Sequence, residues 1–137
     1  MIDFKFQNLP VINMRWWEPT QREWAPILLA DLKPFWVKET DPNTGRPWRP
    51  LTPPYARWKQ ARYPGQPILR LTGKMQDEAR IVPSGRGFSA TTTFYGPYHQ
   101  YGTRFMAARP WLGVPAVSLL KIAPIAWRNI ITRQSRR

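Results

Sequence analysis

Proline is the residue that most constrains how this chain can fold. The chain has 16 prolines, and seven of them lie among the 27 residues from Asp41 to Pro67. Each proline removes a backbone hydrogen-bond donor and crowds the preceding turn of a helix. The sequence therefore predicts helices that are kinked or in pieces, and a long loop that proline makes rigid.

The first 40 residues predict an extended arm followed by a broken helix. Residues 1–19 contain a short alternating run of apolar and polar residues and end in proline, which favours an arm or an edge strand. Within residues 20–40, Thr20 and Glu23 have the spacing of a capping box and precede apolar residues on one helical stripe. Two prolines within this stripe predict that the helix is kinked or divided.

Residues 41–67 form the proline-rich zone. It opens with the sequence D-P-N-T-G, a strong turn signal because proline presets one backbone angle while Asn and Gly tolerate a left-handed one. Large hydrophobic residues, which a flexible linker would not need, are interleaved with the prolines: Trp48, Leu51, Tyr55 and Trp58. We therefore predict an ordered loop laid over the core, with a turn of helix at residues 54–62.

The second half of the chain predicts a β-meander with a corner, over residues 68–113, and then a final helix. Three segments are strand-like: residues 68–71, 79–82 and 88–95. A Gly-rich turn at residues 83–87 separates the last two. Residues 114–137 are predicted as a helix with a basic tail, with Pro115 in its first turn and a kink at Pro124. We assign the whole chain, residues 1–137, to one domain.

Charge is distributed unevenly along the chain. The net charge is +13, from 21 Lys and Arg against 8 acids, and no carboxylate follows Glu78 although nine Lys and Arg do. Such a field attracts nucleic acid, an anionic membrane or an acidic protein face, or it serves only as a soluble basic surface. Without cysteine, a long apolar run or a signal-peptide pattern, we expect a soluble, intracellular protein with no membrane span.

The single histidine invites an active-site reading that the rest of the chain argues against. His99 lies in the stretch Y-G-P-Y-H-Q-Y-G-T-R-F-M-A-A-R-P-W-L-G, residues 95–113, and no carboxylate lies within 20 residues of it to orient a general base. The S-G-R-G sequence at residues 84–87 lacks the Lys-Ser/Thr of a phosphate loop. We predict no catalytic site, no cofactor and no metal. His99 is expected to hydrogen-bond a backbone carbonyl or a tyrosine hydroxyl at a corner.

Basic and aromatic residues alternate at several places in the chain. Trp and Tyr stack on bases while Arg and Lys bind phosphates, but the same residue types form protein–protein hot spots. We favour protein interfaces, because the prolines rigidify the loops as a docking surface requires. The candidates for interface or structural roles are Trp16, Trp17, Trp48, Trp58, Tyr98, His99, Tyr101, Arg104, Arg109, Trp111, Arg133, Arg136 and Arg137.

Four motifs in order resemble the phage virion morphogenesis, or tail-completion, family, in a Mu-like form. After Phe35 they are D-P-x-T-G-x-P-W-x-P-L at residues 41–51, I-L-x-L-T-G-x-M at 68–75, Y-x-Q-x-G at 98–102 and R-P-x-L-G at 109–113. None is specific alone, and together they span Lys33 to Gly113. The N-terminal arm and the tail after Arg133 lie outside the resemblance.

The resemblance implies an α+β fold, a small antiparallel sheet with flanking helices, to which the residues themselves add the long Pro-rich loop. It also implies a non-enzymatic structural protein of the virion, assembled in the host cytoplasm. Proteins of this kind, related to tail terminators and neck proteins, form rings, often sixfold, at the head–tail joint. The expected partners are other copies of the chain and neighbouring neck and tail tube or sheath proteins, with contact to passing DNA left open. The alternative is a basic nucleic-acid-binding domain.

Overall fold

The computed structural model describes residues 2–4, 14–85 and 87–134, which form a mixed α+β fold. Its elements are β1 (Ile2–Phe4), α1 (Met14–Val37), α2 (Pro53–Arg62), α3 (Lys74–Asp77), β2 (Arg80–Ser84), β3 (Gly87–Thr91), α4 (Gly96–Tyr101) and α5 (Ala116–Gln134). The strands form one antiparallel sheet in the order β1-β3-β2, and α1 packs against both the sheet and α5. The predicted fold class is confirmed.

Helix α1 is one element, although it contains three prolines. It begins at Met14, so residues 14–19, which the sequence assigned to an arm, are helical. Of the two predicted alternatives, a kinked or a divided helix, the divided one is wrong. Pro26 and Pro34 lie on the exposed face, where water can satisfy the carbonyls that lose their N–H partners. The opposite face is buried and is rich in tryptophan and leucine. Its burial outweighs the roughly 3 kcal/mol that each internal proline costs.

The sheet differs from the predicted meander in one strand. Strands β2 and β3 form a hairpin that closes with Ser84 opposite Gly87, as the Gly-rich turn predicted. Residues 68–71, predicted as a strand, form turns instead, and the third strand is β1 from the N-terminal arm. The reason lies in the backbone donors: the N–H of Ile68 donates to Glu39 Oε1 at 2.9 Å, and that of Arg70 donates to the carbonyl of Pro67 at 3.1 Å.

The core lies between α1, the sheet and the segment that follows β3, residues 96–113, which we call the corner. Trp24 of α1 meets Phe88 of β3 edge to face, with ring centroids 5.3 Å apart. Trp36, near the end of α1, meets Trp111 at 5.4 Å. Both pairs are buried, the second with its rings tilted at 55°, and aromatic pairs in contact add stability beyond the area that they bury. The tryptophans therefore hold the long helix against the rest of the domain.

Polar contacts contribute to the packing of helix α5 on α1. Asp31 of α1 accepts hydrogen bonds of 2.6 Å from the Ser118 hydroxyl and from Lys121 Nζ. Burial raises the pKa of Asp31, but the hydrogen bonds from Lys121 and Ser118 outweigh burial, so the pKa lies below its ordinary value. Arg128 of α5 also forms an ion pair with Glu23 of α1, in the contact between the two helices that we call the seam. The helix is continuous through Pro124, and Pro115 lies just before its first residue.

Candidate functional site

The stretch that contains His99 folds back on itself around one glutamine. Gln100 Oε1 accepts hydrogen bonds of 3.0 Å from the N–H groups of Trp111 and Leu112, and its Nε2 donates to the carbonyl of Leu112 at 3.1 Å. Gly102 has a φ of +75°, and a Cβ there would lie 2.8 Å from the backbone nitrogen of Ala108. Residues 96–113 therefore form a fixed corner between the sheet and α5.

The proline-rich loop is hydrogen-bonded to this corner by side chains. Arg109 is buried and donates from Nε to the carbonyl of Arg49 at 2.7 Å, and from a terminal guanidinium nitrogen to that of Pro50 at 3.0 Å. Trp48 Nε1 donates to the carbonyl of Pro110 at 2.6 Å. These charge-assisted and indole hydrogen bonds give an otherwise irregular segment a single conformation.

The four motifs that carry the family resemblance meet around one groove. Two of them, at residues 41–51 and 109–113, hold the loop to the corner as described. The groove between them, with a volume of about 960 Å³, is also lined by residues 69–75 of the second motif and by His99 of the third. A cavity of this size is at the upper end of ordinary ligand sites.

The lining of the groove is apolar and basic. Among the described residues it includes no Asp or Glu, whereas five Lys and Arg side chains contribute: Arg49, Lys59, Arg70, Lys74 and Arg109. Burial lowers the pKa of Lys59, Glu39 opposes that shift, and Arg109 adds to it. Burial and the nearby Arg49 lower the pKa of Arg109. Like charges therefore repel one another within the groove.

His99 lies in the predicted corner, but the hydrogen bond expected of it is missing at one ring nitrogen. Its Nδ1 is buried and has no hydrogen-bond partner among the described residues, so the hydrogen bond expected of it does not form through that atom. The ring instead packs edge to face on Tyr95, with centroids 6.2 Å apart. Burial, and secondarily Arg109, lower the pKa of His99. No group of three His, Asp or Glu side chains within the described ranges could hold a metal ion.

We expect His99 to make the stability of the fold pH-dependent. Its folded pKa lies below the unfolded value of about 6.5, so the unfolded chain takes up a proton first as the pH falls. The contribution of neutral His99 is complete above about pH 6.5 and declines below it. The melting temperature should therefore fall more between about pH 7.5 and 5.5 for the wild type than for His99→Gln. Equal slopes for the two proteins would contradict the prediction.

Two sets of large hydrophobic side chains are exposed. The corner aromatics, Phe94, Tyr98, Tyr101 and Phe105, lie at the end of β3 and around α4, with Phe94 83% and Phe105 90% exposed. The α5 stripe consists of Val117, Leu120, Pro124, Trp127 and Ile131, which recur every three or four residues along the side of α5 away from the seam with α1. Contiguous exposed apolar surface is a common feature of interaction sites.

The residues that the sequence singled out divide into buried and exposed groups. Trp17, Trp48, Arg109 and Trp111 are buried, Trp16 and His99 are half-buried, and Trp58, Tyr98, Tyr101 and Arg104 are exposed. Arg133 lies near the end of α5, while Arg136 and Arg137 lie outside the described residues. Sequence reasoning missed Phe94, Phe105 and the α5 stripe. The signal for the stripe was present, because α5 carries apolar residues on two sides while only one can face α1.

Comparison with known proteins gives one informative similarity. The chain is 28% identical over 123 residues to the Mu-like prophage FluMu G protein 1 of Haemophilus influenzae, across 80% of this chain and 76% of that protein. No family model matches the chain, and no solved structure matches it. No helix within the described ranges combines the length and apolar character that crossing a membrane requires.

Proposed function

We propose that this chain is a structural protein of a Mu-like tailed phage that completes the tail at the head–tail joint, as a tail terminator or neck component. The similarity to a Mu-like prophage protein supports a phage role in general. The observation that carries the finer proposal is the pair of exposed hydrophobic surfaces, the corner aromatics and the α5 stripe. The protein would act by docking, as part of the virion, after assembly in the host cytoplasm.

A ring requires two different surfaces on each subunit. A closed cyclic assembly of identical chains uses a heterologous contact, in which one patch of a subunit meets another patch of its neighbour. The corner aromatics and the α5 stripe belong to different elements, and α5 packs on α1. Exposed Phe, Tyr, Trp and Leu side chains are the residue types that supply affinity once they are desolvated.

The charge of the chain favours acidic neighbours. Its net charge is +13, and α2 contains three basic residues and no acid, with Arg57 and Arg62 exposed and Lys59 buried. Charge complementarity raises association rates and selects partners more than it adds affinity. We propose that acidic faces of neighbouring neck, tail tube or sheath proteins are the partners.

Assembly on tails tests the proposal. The purified protein is added to phage tails that lack it, and bound protein is measured by sedimentation and imaged by electron microscopy. We expect ring-sized particles at the head-proximal end of the tail and recovery of head joining. A protein that stays monomeric and never binds such tails would rule out the proposed function.

A nucleic-acid-binding domain is the second candidate, and one surface cluster favours it. On α2, Tyr55 and Trp58 stack with centroids 5.5 Å apart and an interplanar angle of 26°, and the Arg62 guanidinium lies 5.6 Å from the Trp58 ring centroid. Exposed aromatics beside cations can stack on bases. A nucleic-acid-binding domain should bind DNA with an affinity that falls as the salt concentration rises. Absence of DNA binding at about 50 mM salt would rule this candidate out.

A further inference from the structure

The groove between the proline-rich loop and the corner has more positive charge than the chain neutralises. Arg70 and Lys74 are paired with Asp77 and Glu78 at 3.5 and 3.9 Å. Lys59 and Arg109 donate to backbone carbonyls, which orient their charges without cancelling them, and Glu39 attracts Lys59 without forming an ion pair with it. Among the described residues, the Arg49 guanidinium has no hydrogen-bond or ion-pair partner and is exposed to solvent.

Within the described part of the chain, no carboxylate is left unpaired to fill this groove. It contains eight acids, and the side chain of Asp3 lies outside the described part, which leaves 8 − 1 = 7. Five of these form ion pairs: Glu18, Glu23, Asp31, Asp77 and Glu78. The other two accept hydrogen bonds, Glu39 from Ile68 and Asp41 from Asn43 and Thr44. A second copy of the chain is therefore a poor occupant on grounds of charge.

The groove is lined by apolar side chains as well as by cations. Leu51, Leu71 and Met106 are partly buried along it, and Met75 in its lining is buried. A phosphate group gains nothing from apolar surface, whereas a peptide can alternate carboxylates with apolar side chains. An acidic occupant would also relieve the repulsion among the basic groups of the groove.

We propose that this groove binds an acidic, apolar segment of a different protein, with Arg49 as the cation that pairs with its carboxylate. The inference deepens the proposed function, since the segment would belong to a neighbouring protein of the head–tail joint. Arg109 and Lys59 give the groove a fixed positive charge. The corner holds in place the side of the groove to which Arg109 belongs. A preorganised site of this kind loses little freedom on binding.

A binding experiment with paired charge reversals tests the proposal. The probe is a short fluorescein-labelled peptide in which glutamates alternate with leucines, and its affinity is measured by fluorescence anisotropy at about 50 mM salt. We expect Arg49→Glu to weaken binding at least about tenfold. Arg46→Glu should change it less than about twofold, because Arg46 is exposed on the same loop, has the same charge and lies outside the groove.

The control probes separate the groove from general attraction to anions. A peptide with glutamine in place of glutamate, and a single-stranded oligonucleotide, should each bind at least about tenfold more weakly than the acidic peptide. Equal losses for the two arginine variants, or equal binding of any control probe, would overturn the proposal. If the acidic peptide fails to bind while the protein still assembles on tails, the groove inference is wrong and the proposed function stands.

Discussion

Replacing Trp111 by alanine is expected to lower the free energy of unfolding by about 4 kcal/mol, a large share of the roughly 5–15 kcal/mol available to a domain. Trp111 is fully buried in the corner, where its ring packs against Trp36. Its Nε1 also donates to the carbonyl of Gly96 at 3.2 Å, and the alanine variant would leave that carbonyl without this donor. The loss combines a cavity with a broken hydrogen bond.

Urea denaturation followed by far-UV circular dichroism measures this effect. Trp58→Ala is the matched control, because it removes the same side chain from α2, where it is 41% exposed. We expect Trp58→Ala to cost less than about 1 kcal/mol. Similar costs for the two variants would mean that the corner does not carry the stability of the domain.

The double variant Leu120→Glu and Trp127→Glu is expected to prevent assembly without unfolding the subunit. Leu120 is 79% exposed and Trp127 65% exposed on the α5 stripe, so the folded subunit should tolerate both changes. If the α5 stripe forms a subunit contact, Leu120 and Trp127 would be desolvated there, and each is a candidate hot spot. The two glutamates in their place would be buried carboxylates without a partner. We expect the dissociation constant for self-assembly to rise by at least about 100-fold.

Mass photometry and binding to tails that lack the protein measure this second effect. The control is Val37→Glu, which introduces the same charge at an exposed apolar residue at the end of α1. It should assemble like the wild type. If the double variant assembles normally, the α5 stripe is not a subunit contact, and the corner aromatics would have to be tested in its place.

Local chemistry predicted several elements well. The turn at residues 83–87 is a property of Gly85, which has a φ of +55°, and of the paired strands on either side. The short helix predicted at residues 54–62 extends from Pro53 to Arg62, since two prolines suit the first turn of a helix. The final helix also follows from its apolar periodicity, although it begins at Ala116 and not at residue 114.

Other elements depended on contacts between distant residues. The strand predicted at residues 68–71 fails because Glu39, 29 positions before Ile68, takes one of its backbone donors. Helix α1 remains continuous because its apolar face is buried. The number of prolines in the sequence does not indicate this burial. The groove is likewise a product of folding, since it combines residues from Arg49 to Arg109.

The sequence by itself determined the excess of positive charge, the absence of cysteine and the wealth of aromatic residues, because composition is independent of conformation. It also placed the turns and helices that depend on neighbouring residues. Only the tertiary structure decided that Arg109 and Trp111 belong to the interior while Phe105 and Trp127 face solvent. The physical reason is that burial and hydrogen-bond pairing depend on which distant segments meet, and the same arginine or tryptophan can serve in a core or at an interface.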